Sequence, residues 1–166
     1  TTFERVFQLD KSKDFEKKFS RFLKELKIPS DQKLIKDLAS KRIKHDNNSK
    51  VYKQTYNTLN KLRKKGYKLA ILSNSTIFSG ESIKKGTLKN YIDKMFLSYD
   101  LKMIKPNPQA FKKVLQYFKV KPSEALMIGD TYEADILPAK KLKLNTIQFK
   151  NATQLKKELK KMGIMG

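Results

Sequence analysis

Three short polar motifs each follow an apolar, strand-like run and together carry a hydroxyl, a lysine and a pair of carboxylates. In a parallel sheet, the residues at the carboxyl ends of the strands lie along one edge of the sheet, and ligands of α/β proteins bind at this edge. These residue types are the ones that hold phosphate oxygens and a hard metal ion. The candidate residues are Ser73 and Asn74, then Lys105, then Asp130 and Asp135.

The two carboxylates occur in the pattern Gly-Asp-x4-Asp, in which Gly129 allows a tight turn at the strand end. Asp130 is predicted to project from the loop, and Asp135 to open the next helix. Two such oxygen donors suit Mg²⁺, which keeps waters and substrate phosphate as its other ligands. Asp135 has an equally simple alternative role as a helix N-terminal carboxylate that interacts with the helix dipole.

Lysine and serine supply the candidate phosphate ligands. Lys105 precedes Pro106-Asn107-Pro108, and these prolines should stiffen the loop that aims its ammonium group. Ser73 offers a hydroxyl beside the backbone N–H groups of a turn, which together can hold a phosphate oxygen. No Gly-x-Ser-x-Gly elbow surrounds Ser73, and the chain has no P-loop pattern.

From about residue 67 the pattern alternates between strands and helices, which predicts an α/β fold with a Rossmann-like parallel sheet flanked by helices in three layers. Continuous apolar runs at 69–72 and 126–128 favour strands that are buried on both faces. The predicted strands are 67–72, 95–99, 125–128 and 144–149, and the predicted helices are 108–118, 133–141 and 152–162.

The first 50 residues are predicted to form a separate helical segment, or small cap, next to an α/β core at 51–166. Apolar residues from Phe15 to Leu26 have helical spacing, and a second helix is predicted to begin after an N-cap at Ser30. A third helix should end at Gly66. The polar stretch 44–50 is predicted to be a loop.

The chain of 166 residues contains no cysteine, which excludes disulfides, cysteine-ligated zinc and thiol catalysis. No apolar run approaches the ~18 residues that would span a membrane, and the first ten residues show no signal peptide. A cytoplasmic location is therefore expected.

The net charge of +22 is extreme and has two interpretations. A strongly basic surface attracts nucleic-acid phosphates and steers small anionic substrates. Lysine-rich composition is the alternative, because only four basic residues are arginine and the lysines extend along the whole chain. Nucleic acid therefore remains a candidate partner, without sequence specificity.

In this order and at these strand ends, the motifs resemble those of the haloacid dehalogenase-like (HAD) phosphohydrolases. The resemblance covers about residues 50–150. The segment 66–74 resembles the second motif of that family, Lys105 to Phe111 the third, and Gly129 to Ala139 the fourth.

The resemblance implies a fold and a mechanism. An aspartate of a first motif, Asp-x-Asp-x-Thr, attacks the phosphorus, and the aspartate two residues later acts as acid and base. By the match, Ser73, Asn74 and Lys105 would hold the phosphoryl group of a small phosphorylated substrate. Asp130 would ligate Mg²⁺, and Asp135 would ligate it or orient its water.

The first motif is the departure from the family pattern. Aligned at residues 3–12, Asp10 takes the acid/base position and Ser12 the threonine position, but Gln8 replaces the nucleophile. An amide cannot form the acyl phosphate. Alternatively, residues 1–9 are a helix that starts with a Thr1-x-x-Glu4 capping box, and the nucleophile strand is displaced or lies upstream of Thr1.

Three functions follow as hypotheses. The first is a Mg²⁺-dependent phosphatase of a small phosphorylated metabolite, acting through an aspartyl phosphate. The second is a catalytically inactive HAD-fold protein that binds a phosphorylated ligand or a partner. The third is a basic protein that associates with nucleic acid.

Overall fold

The computed structural model describes residues 1–48 and 51–165, and it has the mixed α/β architecture that the sequence predicts. Two π-helical segments, Glu4–Gln8 and Tyr132–Ile136, and two 3₁₀ segments, Thr87–Tyr91 and Pro122–Glu124, add to the regular elements. The helices are α1 (Phe15–Glu25), α2 (Gln32–Asn47), α3 (Lys53–Lys64), α4 (Ile77–Lys85), α5 (Ser98–Leu101), α6 (Pro108–Phe118), α7 (Leu137–Lys141) and α8 (Ala152–Lys161). The strands are β1 (Ala70–Ser73), β2 (Lys94–Leu97), β3 (Leu126–Gly129) and β4 (Asn145–Gln148).

The chain divides into two compact units, and each interleaves several segments of the sequence. Unit 1 comprises residues 1–50, 73–89 and 97–104, and unit 2 comprises residues 51–72, 90–96 and 105–166. The N-terminal helices of unit 1 thus share a unit with the last residues of β1 and β2 and with the segments that follow these strands. The simple division into 1–50 and 51–166 stays a prediction.

Aromatic side chains form the core of the N-terminal part of unit 1. Phe7 is fully buried, and its ring lies 4.8–5.7 Å from four other phenylalanine rings. These rings belong to Phe3, Phe15, Phe19 and Phe22. The aromatic stripe of α1 is therefore packing surface, and offset aromatic pairs of this kind stabilise a core beyond their buried area.

Helix α2 extends through most of the polar stretch predicted as a loop; residues 49 and 50 of that stretch lie outside the described residues. Asp46 is only 2% exposed, and its carboxylate pairs with Arg42 Nε at 3.0 Å. It also accepts a hydrogen bond from the hydroxyl of Thr76, the N-cap of α4. This buried anchor keeps a polar segment helical. The N-cap of α2 is Asp31, one residue beyond the predicted Ser30.

We expect Asp46→Ala to lower the free energy of unfolding by about 2–4 kcal/mol. The variant would leave the partly buried Arg42 guanidinium and the Thr76 hydroxyl without their shared acceptor. Urea denaturation measures the change. Asp37→Ala on the same helix is the control, because the Asp37–Lys41 pair is exposed and should contribute less than about 0.5 kcal/mol. Equal losses in both variants would contradict the anchoring role.

Among the described residues, the four strands pair two by two. β1 pairs with β2, and β3 pairs in parallel with β4, with Leu126 opposite Asn145 and Gly129 opposite Gln148. The expectation that 69–72 and 126–128 are buried on both faces was wrong, since Ile71, Leu72 and all of β3 are half-buried and Ala70 is exposed. Each of these strands has one paired edge, so its second edge and its faces are less covered than in a central strand.

Helices α3 and α8 pack in the hydrophobic core of unit 2. Leu62 of α3, Ile147 of β4 and Leu159 of α8 belong to one buried cluster. The predicted end of α3 at Gly66 is confirmed, because Gly66 has φ +83°, a left-handed conformation that glycine adopts without strain.

Helix α6 begins and ends where the sequence predicts. Pro108 occupies its first turn, where a missing N–H costs nothing, and the side chain of Asn107 accepts a hydrogen bond from Gln109 N at 2.9 Å. Within the described residues, every helix is too short or too polar to cross a bilayer.

Candidate functional site

In unit 2, the partly buried Lys105 forms an ion pair with the buried Asp135. Lys105 Nζ lies 2.5 Å from Asp135 Oδ1, and the two side chains are 12% and 4% exposed. The second oxygen of Asp135 accepts a hydrogen bond from Thr131 N at 3.1 Å. The carboxylate therefore fixes both the ammonium group of Lys105 and the loop that follows β3.

Gly129 is required at the end of β3 because Asp135 lies directly against its backbone. A Cβ atom added at Gly129 would come within 2.4 Å of the Asp135 carboxylate, far inside van der Waals contact. A glycine is therefore needed here because the side chain of Asp135 lies directly against the backbone of residue 129. The tight turn expected for Gly129 is not the reason for it, since its φ is not in the left-handed region.

Of the two candidate carboxylates, Asp130 and Asp135, only Asp130 is accessible to solvent. It is exposed, and its Oδ1 accepts a hydrogen bond from the Thr131 hydroxyl at 3.3 Å. Among the described residues no three His, Cys, Asp or Glu side chains cluster as a metal cage would. One accessible carboxylate is a donor set that would suit Mg²⁺, which takes its other ligands from waters and phosphate.

In unit 1, Ser73 and Asn74 open a turn that is rich in hydroxyl groups. Ser75 Oγ donates to Ser73 Oγ at 2.8 Å, while Ser75 N donates to the buried Ser98 Oγ at 3.0 Å. Ser98 Oγ in turn donates to the carbonyl oxygen of Gln8 at 2.8 Å. The turn after β1 is thereby tied to the N-terminal segment.

Residues 3–12 do not form the strand that an Asp-x-Asp-x-Thr motif requires. Glu4–Gln8 is π-helical, and Glu4 N donates to Thr1 Oγ1 at 3.2 Å, as the alternative of a capped helix predicts. The Gln8 amide donates to Asn74 O at 3.4 Å. Asp10 follows this helix and accepts a hydrogen bond from Ser12 N at 2.8 Å.

Two lysines hold the backbone around Asp10. Lys18 Nζ donates to Asp10 O at 2.9 Å, and Lys102 Nζ donates to Leu9 O at 2.8 Å. Burial lowers the pKa of Lys18, an effect that the nearby Asp10 charge partly offsets. Asp10 therefore lies in a defined position close to two cations.

The structure thus joins Lys105 with Asp135 in unit 2, and links Asn74 with the Gln8–Asp10 segment in unit 1. Sequence reasoning missed Thr131, Ser98 and Lys18 as residues that hold these groups. Thr131 could have been found by its position directly after Asp130. Nothing in the sequence distinguishes Lys18 from the many solvated lysines.

The chain matches the haloacid dehalogenase-like hydrolase family over residues 4–149. It is 37% identical over 94 residues to glyceraldehyde 3-phosphate phosphatase of Pyrococcus furiosus, covering 56% of this chain and 39% of that protein. It is 34% identical over 89 residues to pyrophosphatase PpaX of Bacillus thuringiensis, covering 53% of this chain and 41% of that protein. The matched segments amount to about two fifths of the length of these curated relatives.

Solved structures show the same likeness. A HAD phosphatase from Thermococcus onnurineus superposes with a TM-score of 0.61 at 26% identity, covering 80% of this chain and 59% of that one. A HAD family enzyme from Bacteroides thetaiotaomicron, in complex with magnesium and inorganic phosphate, gives 0.62 at 26% identity, covering 87% and 74%. The motif residues, their placement and this match over residues 4–149 establish that the chain belongs to the haloacid dehalogenase-like hydrolase family.

Proposed function

We propose that this chain is the phosphate- and metal-binding part of a Mg²⁺-dependent phosphatase that hydrolyses a small phosphorylated metabolite. The observation that carries the proposal is the partly buried Lys105–Asp135 pair, in which Asp135 is five residues from the exposed carboxylate of Asp130 in sequence. A lysine held by one carboxylate, with a second, accessible carboxylate close by in sequence, suits a ligand that brings both phosphate and a metal ion.

The names of the relatives support this reaction class. One is a glyceraldehyde 3-phosphate phosphatase and another a pyrophosphatase, so both act on small phosphorylated compounds. One structural relative was solved with magnesium and inorganic phosphate. These properties belong to those proteins, and for this chain they support the proposed substrate class.

The residues of this chain would bind and orient the substrate. In unit 1, Ser73 and Asn74 are proposed as hydrogen-bond donors to a phosphoryl group. In unit 2, Lys105 is proposed as a charge-assisted donor to phosphate. Asp135 keeps the Lys105 ammonium in place through the 2.5 Å contact. Asp130 is proposed as the direct metal ligand and Asp135 as a residue that orients metal-bound water. Bound Mg²⁺ would offset the negative charge on the transferring phosphoryl group.

The nucleophile is proposed to come from a segment other than residues 3–12. A carboxylate oxygen would attack phosphorus and displace the alcohol, and water would then release phosphate from the aspartyl phosphate. Gln8 cannot perform this step, because it is an amide on a helix. Asp10 is proposed as the acid/base residue that protonates the leaving group.

A second candidate function is phosphate binding without turnover. It is favoured by the helical conformation of Glu4–Gln8 and by the motif resemblance, in which the amide Gln8 occurs at the position of the nucleophile. Such a chain would bind Mg²⁺ and phosphate through Asp130 and Lys105 and would hydrolyse nothing.

We expect Asp130→Asn to lower Mg²⁺-dependent hydrolysis of an aryl phosphate at least about 100-fold, because a metal ion supplies several kcal/mol to the transition state and 1.36 kcal/mol corresponds to a factor of ten. Glu133→Gln is the matched control, an exposed carboxylate three residues away that should leave the rate unchanged. Calorimetric titration with Mg²⁺ and inorganic phosphate measures binding in parallel.

The outcomes separate the two functions. Turnover that Asp130→Asn removes supports the phosphatase, and Asp10→Asn then tests the acid/base assignment through the pH profile of kcat. Binding that depends on Asp130 but occurs without turnover supports the inactive binding protein. Turnover that survives in Asp130→Asn overturns the metal site, and the absence of both binding and turnover overturns both functions.

A further inference from the structure

Lys18 is the one lysine among the described residues that is buried. It lies on the inner face of α1 with Phe15 and Leu23, and it is 3% exposed. Lysine is almost never buried to this extent unless its charge is paired. The lysine-rich composition does not account for this burial, because the other described lysines are all at least partly exposed.

The two contacts that hold the Lys18 ammonium group are with neutral groups. Nζ donates a hydrogen bond to the carbonyl oxygen of Asp10 at 2.9 Å and lies 5.3 Å from the centroid of the Phe15 ring. A cation buried against neutral groups loses hydration that no ion pair replaces, so it disfavours folding. In agreement, burial lowers the pKa of Lys18. A methionine of similar length would fill the same space without this cost, so packing does not explain the lysine.

Three consecutive carbonyl groups, those of residues 8–10, each accept a hydrogen bond from a side chain of unit 1. The donors are Ser98 to residue 8, Lys102 to residue 9 and Lys18 to residue 10, at 2.8, 2.8 and 2.9 Å. Carbonyl groups at a helix end need partners, but water can supply them here because residues 8–10 are partly exposed. Two of the three donors are cations that repel each other, since the charge of Lys102 also lowers the pKa of Lys18. Satisfaction of the carbonyl groups therefore does not require this arrangement, which fixes the segment in one place.

The segment that these side chains hold carries the Asp10 carboxylate. Asp10 Oδ1 accepts a hydrogen bond from Ser12 N at 2.8 Å, which ties the carboxylate to the turn that follows. Lys18 thus fixes the main chain of residue 10, and the Ser12 amide fixes the direction of its side chain. The position of the carboxylate depends on both contacts.

We propose that Lys18 is a positioning residue that acts through Asp10 and holds its carboxylate in the orientation required for proton transfer to the leaving group. This inference rests on the proposed function, in which Asp10 is the acid/base residue. Lys18 does not touch the substrate; it restricts the backbone from which the carboxylate extends. Proton transfer requires the acid within hydrogen-bond reach of the leaving oxygen, so a displaced carboxylate lowers the rate.

The first test is the effect of Lys18→Met on the hydrolysis of an aryl phosphate by the full chain. The substitution keeps the length of the side chain and removes the ammonium group. We expect kcat to fall at least about tenfold while KM stays within about twofold, because orientation of the acid is lost and substrate binding is not. The urea midpoint should not fall, since an apolar side chain replaces a buried charge. Lys17→Met, at an exposed neighbour on the same helix, is the control and should leave kcat unchanged.

A double-mutant cycle shows whether Lys18 acts through Asp10. In an Asp10→Asn background, Lys18→Met should change kcat by less than about twofold, because the group that it positions no longer transfers a proton. A lysine with a merely structural role would lower kcat by the same factor in both backgrounds. That result would overturn the proposal.

Hydrogen exchange of the Ser12 amide tests the inference without activity. Its hydrogen bond to Asp10 Oδ1 reports the orientation of the carboxylate, so Lys18→Met should speed its exchange at least about tenfold and Lys17→Met should not. If the wild-type chain hydrolyses nothing, the proposed phosphatase function fails, and this exchange rate still decides whether Lys18 holds Asp10. Unchanged exchange of Ser12 in Lys18→Met, or an equal increase in Lys17→Met, would overturn the proposal.

Discussion

The Asp135→Asn variant is expected to lose about 3–5 kcal/mol of the free energy of unfolding, the largest effect expected from a single isosteric change. The substitution keeps the size of the side chain but removes the charge that faces Lys105 Nζ at 2.5 Å. The side chain of Lys105 is only 12% exposed, so its ammonium regains little hydration when the carboxylate charge is removed, and the cost exceeds that of an exposed pair. Denaturation in urea, followed by circular dichroism, measures the loss.

A double-mutant cycle separates the ion pair from general damage to the loop. Lys105→Met/Asp135→Asn removes both charges and should recover at least about 2 kcal/mol relative to Asp135→Asn alone. Asp130→Asn is the control, because Asp130 is exposed and its loss should cost less than about 1 kcal/mol. A change within about 0.5 kcal/mol of wild type for Asp135→Asn would show that the pair does not stabilise the loop.

We expect Gly80→Ala in α4 to destabilise the protein by about 3 kcal/mol. A Cβ atom at residue 80 would lie 2.2 Å from the hydroxyl of Tyr99 and 2.6 Å from its ring. Tyr99 is 1% exposed and cannot move aside without disturbing its neighbours. Overpacking of this kind usually costs 1–3 kcal/mol, and contact with a rigid ring lies at the upper end.

The sign of the Gly80 effect should reverse when the ring is removed. In a Tyr99→Leu background, Gly80→Ala should be neutral or stabilise by up to about 1 kcal/mol, because alanine has the higher helix propensity. Chemical denaturation of the four proteins of this cycle gives the coupling. The same loss in both backgrounds would mean that residue 80 resists substitution for a reason other than Tyr99.

Local sequence determined most of the elements that position the candidate site. Helix α6 was predicted to the residue, since Pro108 fixes its start and its apolar face has helical spacing. The four strands lie within about three residues of their predicted ends, because short apolar runs bounded by polar residues restrict where a strand can lie. The motif residues on these elements were sufficient to identify the family.

The conformation of two segments depended on tertiary contacts that the local sequence pattern does not show. Lys44 to Asn47 is polar enough for a loop, yet it is helical because Asp46 is buried against Arg42 and Thr76. Residues 3–12 could be read as a strand or a helix, and burial of Phe7 among other aromatic rings accompanies the helix. Both outcomes involve partners beyond the local segment, Thr76 in the first case and the rings of α1 in the second, and helix propensity does not contain such contacts.

For the candidate site, too, some features follow from the sequence and others only from the tertiary structure. The sequence by itself determined which side chains are available for chemistry: the hydroxyl of Ser73, the ammonium of Lys105 and the carboxylates of Asp130 and Asp135. Only the tertiary structure showed that Asp135 holds Lys105 and the Thr131 amide, which leaves Asp130 as the accessible oxygen donor. The order of residues along a chain specifies their chemistry, whereas burial and distance, which set their roles, arise only when segments 30 residues apart pack together.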